Sequence, residues 1–170
     1  MDLKSIAYAH AAPYPAVEVS RSNPQYARAM LSNIGACNSE MSAVSLYFYN
    51  SLILRQAHPD AAEIFHKISV VEMHHLDIFG RLAHLLGADP RLWSSVHGRR
   101  TYWSPGCNRY PRDIVPLLEN AIKGENEAVN KYRRQMQWVE DPHLVALLGR
   151  IIMDEEKHLE IFHALLSELR

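Results

Sequence analysis

Two segments of this 170-residue chain each place a glutamate and a histidine three positions apart within a helical apolar pattern. Glu72 and His75 lie in SVVEMHHLDIF, and Glu155 and His158 lie in IIMDEEKHLEIF. Because an α-helix turns by about 100° per residue, positions three and four apart share a face, and that face is otherwise apolar here. The sequence therefore predicts that these four polar side chains point into a core. A carboxylate is unfavourable there unless a proton, a counter-charge or a metal ion compensates it.

The same Glu-x-x-His spacing occurs twice more in the chain, so the spacing alone is weak evidence for a site. Glu63 and His66 fall on the opposite side of their helix from Glu72, beside charged neighbours. Glu160 and His163 also have charged helical neighbours. We predict that these two pairs are exposed to solvent.

Two further glutamates share apolar stripes on the other predicted helices. Glu40 lies on the stripe of the first helix, and Glu125 lies on that of the third, whereas Glu127 falls on a polar face and is predicted to be exposed. A glutamate from each of two helices, together with Glu-x-x-His from each of the other two, is the ligand set of carboxylate di-metal bundles.

The charges of this set favour two divalent cations. Four ionised carboxylates would repel one another, and two divalent cations would neutralise them while both imidazoles stay uncharged. Oxygen-rich ligation with one imidazole per metal suits iron or manganese. We therefore expect two metal ions per chain, with iron as the first expectation and manganese as the alternative. The alternative is a buried Glu–His hydrogen-bond network that holds no metal.

Four long helices are predicted to position these residues. Asn23-Pro24 supplies an N-cap and a first-turn proline for a helix to about Gln56, and Pro59 opens a second helix that stops at Gly87. The third helix is predicted from about Asp113 to Val139, and the fourth from Asp141-Pro142 to the C-terminus. Joined by short, long and short connections, they predict an all-α four-helix bundle over residues 23–170, with a crossover between helices two and three.

The remaining segments are an N-terminal arm and the crossover. Residues 1–22 are predicted to be an extended arm, with the hypothesis that it packs across a partner subunit of a homodimer. Residues 88–111 show neither a helical period nor a convincing strand pattern. Trp93, Tyr102 and Trp103 are expected to pin this crossover along the bundle.

Composition excludes several classes of protein. The net charge of −1 gives no argument for nucleic acid or membrane surfaces, and no apolar run is long enough for a membrane helix or a signal peptide. Cys37 and Cys107 form no CxxC pair, so neither a disulfide scaffold nor a zinc ribbon is expected, and a reducing cytoplasm is the expected location. Cys37 precedes Glu40 by one turn and could face the site, but it is expected to be a small buried filler.

Four motifs in combination resemble a known family: SEMSAVSLY (39–47), VVEMHHLDIFGRL (70–82), KGENEAVNKY (123–132) and IMDEEKHLEIF (152–162). Residues 24–170 resemble the ferritin-like superfamily, specifically its rubrerythrin and manganese-catalase branch. The resemblance implies that Glu72 and Glu155 bridge two metals, that Glu40 and Glu125 are terminal ligands, and that His75 and His158 each cap one metal.

The chain departs from the rubrerythrin pattern in two respects. Rubrerythrins usually carry another glutamate three residues after the third-helix ligand, where this chain has Ala128, so a redox-linked shift of one iron is not expected. No cysteine-ligated rubredoxin domain is present, so peroxide reduction would need an external electron donor protein.

The expected function is a di-iron oxidoreductase that reduces hydrogen peroxide or dioxygen. A dimanganese catalase, which needs no donor, is the first alternative. Ferroxidase or iron-storage activity and a coat or scaffold role are the others.

Apart from the ligands, Tyr47 and Tyr132 lie two turns after Glu40 and Glu125, and each could hydrogen-bond an opposing carboxylate. His74 and His84 are expected at the surface or an interface, and Met41, Met73 and Met153 in the core.

Overall fold

The computed structural model describes residues 6–169, which contain five α-helices. The first two helices together occupy one of the four positions of a helical bundle, and each of the other three occupies one. α2 and α1 both pack against α3, and α4 packs against α5, so the predicted ferritin-like four-helix bundle is confirmed. The long connection between α3 and α4 is the predicted crossover. The helices run Pro24–Gly35 (α1), Glu40–Ile53 (α2), Pro59–Leu85 (α3), Ile114–Met136 (α4) and Pro142–Glu168 (α5).

Local sequence signals set most of the helix ends. The Asn23 side chain accepts hydrogen bonds from the first-turn amides at the start of α1, and Asp141 does the same for α5. A proline follows each cap in the first helical turn, where its missing N–H costs nothing. α3 ends just before Gly87, whose φ of +95° is a conformation that glycine adopts without strain.

The prediction of one continuous first helix is wrong, because residues 36–39 separate α1 from α2. The apolar period continues through this break, so the pattern gave no sign of it. The ammonium group of Lys131 donates to the carbonyl oxygens of Ser32 (2.8 Å) and Asn38 (2.9 Å). A side chain of α4 thus binds carbonyl oxygens at the end of α1 and in the segment between α1 and α2.

Gly35 lies at the break because the crossover passes directly over it. A Cβ atom at this position would come within 2.2 Å of the backbone nitrogen of Trp93. We therefore expect Gly35→Ala to destabilise the protein by about 1–3 kcal/mol in urea unfolding, since the backbone must shift to admit the methyl group. Gly80→Ala is the control. Apart from its chain neighbours and its own helix backbone, no atom of the described residues lies within 4 Å of the added Cβ, and we expect the substitution to raise stability by about 0.5–1 kcal/mol.

The crossover contains a β-hairpin, which the sequence analysis did not predict. Strands β1 (Trp93–Val96) and β2 (Arg99–Tyr102) pair antiparallel, with Trp93 opposite Tyr102. His97 and Gly98 connect them with φ angles of +49° and +75°, as a two-residue hairpin turn requires. Trp93 packs on the core and Trp103 bonds to α2, but Tyr102 is half exposed and does not pin the crossover.

Two hydrophobic clusters flank the centre of the bundle along its axis. Phe65 stacks on Phe162 in one cluster, and Phe79 packs against Tyr132 in the other. On α3 the two clusters take residues 61–68 and 78–86, which leaves Glu72 and His75 between them. No helix in residues 6–169 combines the length and apolar content needed to cross a bilayer.

The described part of the arm, residues 6–22, runs along α5 of its own chain, where the sequence analysis had suggested contacts with a partner subunit. The amide of His10 donates to Asp154 (2.6 Å), and that of Ser20 donates to Asp141 (2.8 Å). The arm is therefore antiparallel to α5, and it covers the outer side of the bundle at the level of the histidines.

Candidate metal centre

The structure brings the six predicted ligands together at mid-height of the bundle, with each side chain 2% exposed or less. They form two overlapping groups, and the potential ligand atoms of each group lie within 4.8 Å of one another. Glu72 and Glu155 belong to both groups, whereas each remaining residue belongs to one. The groups are Glu40, Glu72, His75 and Glu155, and Glu72, Glu125, Glu155 and His158.

Each imidazole turns its Nδ1 atom toward both shared glutamates. His75 Nδ1 lies 3.3 Å from Glu72 and 3.2 Å from Glu155. His158 Nδ1 lies 2.8 Å from Glu72 and 3.1 Å from Glu155. These carboxylates, one from α3 and one from α5, therefore lie between the two rings, as bridging ligands would.

The opposite ring nitrogens point away from the centre and have partners of their own. His158 Nε2 is 3.0 Å from the backbone oxygen of Tyr8, and His75 Nε2 is 3.0 Å from Oδ2 of Asp154. Because a carbonyl oxygen can only accept, Nε2 of His158 carries its proton, which leaves Nδ1 with a free lone pair when the ring is neutral. Outer partners of this kind orient metal-ligating histidines.

Two carboxylate oxygens fit metal ions better than they fit a hydrogen-bond network. Oε1 of Glu72 and Oε1 of Glu155 accept no hydrogen bond from the described residues, although Nδ1 of His158 and of His75 lie 2.8 and 3.2 Å away. The contacts are close but lack donor–acceptor geometry. Carboxylate oxygens that approach imidazole nitrogens without hydrogen-bond geometry are what a cation between them would use, and the donor set suits iron or manganese.

Burial and mutual repulsion make this layer costly without cations. Burial and the neighbouring carboxylates raise the pKa values of Glu40 and Glu125 well above their ordinary range. Burial also acts to raise the pKa of Glu72, but the two histidines outweigh it and lower that pKa. Burial acts to lower the pKa values of His75 and His158, but the carboxylates outweigh it and raise them. Protons and imidazolium charges thus take the place that divalent cations would fill.

Tyr47 and Tyr132 make the two hydrogen bonds that the sequence predicted. The Tyr47 hydroxyl on α2 donates to Glu125 on α4, and the Tyr132 hydroxyl on α4 donates to Glu40 on α2. The two bonds are reciprocal and fully buried. Each phenol therefore holds a carboxylate that belongs to only one of the two candidate ligand groups.

We expect Tyr47→Phe and Tyr132→Phe each to weaken metal binding by about 10–100-fold, because each removes the outer partner of one carboxylate. Metal titration followed by element-resolved mass spectrometry measures the loss. Tyr49→Phe is the control, since it removes a hydroxyl from α2 away from the acidic layer. Equal affinity in all three variants would show that the phenols do not orient the carboxylates.

Asp154 was missed by the sequence analysis. It is fully buried, and its Oδ1 lies 2.7 Å from Nη1 of Arg150, while Tyr14 of the arm donates to its Oδ2. Burial acts to raise the pKa of Asp154, but the hydrogen bonds from His75, Tyr14 and Arg150 outweigh it and lower that pKa. Burial and the bond to Asp154 raise the pKa of Tyr14 to about 12, so its hydroxyl remains a donor. The four-residue spacing of Arg150 and Asp154 beside Ile151 was the available signal.

A cavity of about 180 Å³ between α2 and α4 leads to the acidic layer. All four ligand glutamates line it, and neither histidine does. Its outer lining includes the exposed residues Arg109 and Lys123, so it opens to solvent. A small polar molecule could therefore reach the carboxylates from the side opposite the arm.

The two cysteines, which are 70 positions apart in the sequence, form a disulfide beside this cavity. The prediction that Cys37 is a buried filler is wrong, because it is exposed and bonded to Cys107 in the crossover. The spacing gave no sign of the bond, since the fold of the crossover brings Cys107 to the start of α2.

The other sequence predictions near the site have mixed outcomes. Glu127, His74 and His84 are exposed, as predicted, but Met73 and Met153 are exposed rather than in the core. Both methionines lie on the solvent side of apolar helical segments, where periodicity is a poor guide. The two rejected Glu-x-x-His pairs are exposed, as predicted: Glu63, His66, Glu160 and His163.

Comparison with known proteins agrees with this geometry. The model of the family described as Rubrerythrin matches residues 34–166, which include all six candidate ligands. The chain belongs to the rubrerythrin family. It is also 25% identical to a probable manganese catalase of Clostridium acetobutylicum, over 91% of this chain and 76% of that protein.

Solved structures share the fold of this rubrerythrin-family chain. KatB, a manganese catalase from Anabaena, superposes with a TM-score of 0.83 at 20% identity, over 96% of this chain and 81% of KatB. A bacterioferritin from Rhodobacter capsulatus superposes with a TM-score of 0.71 at 22% identity, over 86% of each chain. The ferritin-like bundle is therefore shared with both a manganese catalase and a bacterioferritin.

Proposed function

We propose that the chain holds two metal ions and acts as an oxidoreductase on hydrogen peroxide or dioxygen, with rubrerythrin-type reduction at a di-iron site as the leading form. Glu72 and Glu155 would bridge the metals, and each metal would take one histidine. Glu40 would complete the ligand set of the metal bound by His75, and Glu125 that of the metal bound by His158. The observation that carries the proposal is the pair of overlapping, fully buried ligand groups.

The surroundings of the site support a small oxidant as substrate. A bound pair of iron ions would supply two electrons, the number needed to reduce hydrogen peroxide to water. The substrate would enter through the cavity between α2 and α4. Tyr47 and Tyr132 would hold Glu125 and Glu40 in place by their hydrogen bonds. On the opposite side, Tyr8 and Asp154 keep the Nε2 protons of the histidines engaged, so Nδ1 faces the metals.

A dimanganese catalase is the second candidate. The likeness to the Clostridium protein favours it, since that relative is named as a probable manganese catalase and matches most of this chain. Such a reaction would need no donor, because peroxide would both oxidise and reduce the metal pair. Iron storage, a coat or scaffold role, the homodimer and the cytoplasmic location stay predictions from the sequence.

Metal content and oxygen release together test the proposal. Protein from cells supplied with both metals is expected to contain about two irons per chain and to consume peroxide only with a reductant. About two manganese ions, with one dioxygen released for every two peroxides and no reductant, would establish the catalase instead. A folded protein with neither metal would contradict both and leave the buried hydrogen-bond network.

A further inference from the structure

The Cys37–Cys107 disulfide has no role in the function proposed so far, although it shares a cavity with the candidate metal site. Both cysteines line the cavity that contains the four ligand glutamates. Cys37 lies three residues before Glu40 and is exposed, and Cys107 is partly exposed. A sulfur pair here is accessible from solvent and close to the proposed site of peroxide reduction.

The backbone around Cys37 is fixed by contacts that do not involve sulfur. Its carbonyl oxygen accepts a hydrogen bond of 2.7 Å from the Ser42 hydroxyl. The next carbonyl, that of Asn38, accepts one of 2.9 Å from the buried Lys131. Opening the disulfide therefore leaves the connection between α1 and α2 where it is.

The segment around Cys107 is held against α2 in the same way. The Trp103 indole donates to the Ser42 hydroxyl (2.8 Å), and the Asn108 amide donates to the Ser42 carbonyl (3.0 Å). These bonds lie on both sides of Cys107 and end on the residue that fixes Cys37. The two sulfurs thus stay opposite one another after reduction, so the bond can open and close again.

Two features of the surroundings favour a thiolate in the reduced state, although the glutamates that share the cavity oppose it. Arg109, two residues after Cys107, lines the same cavity, and Cys37 lies just before the N-terminus of α2. Cationic side chains and helix N-termini stabilise thiolates, which are the reactive form in disulfide exchange. A dithiol reductant could therefore act on this pair.

We propose that Cys37 and Cys107 are a redox-active pair that passes two electrons from a dithiol reductant to the metal site, a step that rests on the proposed peroxide reduction. The reductant's thiolate attacks one sulfur, the Cys37–Cys107 bond breaks, and the reductant leaves as its own disulfide. The two thiols then re-form their bond and release two protons and two electrons. Hydrogen peroxide takes up both and becomes two waters, so atoms and electrons balance.

Thiol counting tests the transfer without any substitution. Metal-loaded protein is reduced with dithiothreitol, freed of reductant without oxygen, given one equivalent of peroxide, and alkylated for intact-mass analysis. Both thiols are expected to disappear at least about tenfold faster than in metal-free protein, where peroxide must react with the thiolate directly. Equal rates, or thiols that persist while peroxide is consumed, would overturn the relay and leave the proposed function standing.

Substitution of both cysteines gives an independent readout. The Cys37→Ser, Cys107→Ser double variant is expected to lose at least about tenfold in dithiothreitol-driven peroxide turnover, with its metal content unchanged. Tyr110→Phe is the control, since it removes a hydrogen bond to Pro105 (3.0 Å) in the same segment without touching sulfur. Undiminished turnover in the double variant would refute the relay alone. Absence of peroxide consumption in wild type with any reductant would refute the proposed function and the relay together.

Discussion

Glu72→Gln is expected to empty both metal positions while the bundle stays folded. Glu72 belongs to both ligand groups, so the substitution removes the one negative charge that the two metals would share and presents an amide that can donate but binds cations weakly. The loss of affinity should exceed the roughly 10–100-fold that follows from removing an outer partner. Element-resolved mass spectrometry gives metal per chain, and circular dichroism checks the helices.

Two further variants serve as comparisons for Glu72→Gln. Glu63→Gln changes a glutamate of the same helix with the same Glu-x-x-His spacing, but in an exposed ion pair with Lys67 (3.5 Å). It should retain wild-type metal content. Glu40→Gln touches one group only, so we expect it to lower occupancy of one position more than the other. If Glu72→Gln retained two metals per chain, the shared carboxylate would not be a bridging ligand.

The helical period accounts for what the sequence predicted of the site. Glu40, Glu72, Glu125 and Glu155 were separated from exposed glutamates by phase alone, because the 3.6-residue repeat decides which face of a helix is buried. All four lie in the buried layer, whereas Glu63 and Glu127 are exposed. Helical phase can be read from the local sequence, so the burial of the candidate ligands could be predicted without knowing how the helices pack.

The features that the sequence did not predict depend on contacts between distant residues. Asp154 meets Tyr14 across 140 positions, and Cys37 meets Cys107 across 70. The break before α2 likewise depends on Lys131, whose side chain comes from α4. Apart from the four-residue spacing of Arg150 and Asp154, nothing local distinguishes these residues from ordinary surface or helix positions. They lie around the candidate ligands, so their contribution becomes visible only in the folded chain.

Asp154→Asn is expected to have the largest effect on stability. The side chain of Arg150 is 5% exposed, and its other nitrogens donate to the carbonyl oxygens of Ala12 and His10 (2.7 Å each). Removing the carboxylate leaves this guanidinium buried without its counter-charge. Breaking a buried ion pair in this way costs about 3–5 kcal/mol. Urea unfolding of metal-free protein measures it without interference from metal binding.

The chain contains a matched exposed pair as control. Asp77 and Arg81 have the same four-residue separation, with the order of acid and base reversed, at 3.8 Å and more than half exposed. Asp77→Asn should change stability by no more than about 1 kcal/mol. Equal effects of the two substitutions would mean that burial of Arg150 is compensated by the arm's carbonyls alone.

Asp154→Asn should also weaken metal binding by about 10–100-fold, because Nε2 of His75 loses its carboxylate partner. The two losses are separable, since the stability change appears in metal-free protein and the affinity change in folded protein at low urea. A variant that loses stability but keeps its affinity would show that Asp154 anchors the arm without orienting His75. Loss of both would show that one buried carboxylate couples the arm to the metal site, so that docking of residues 6–22 and the geometry of His75 depend on the same contact.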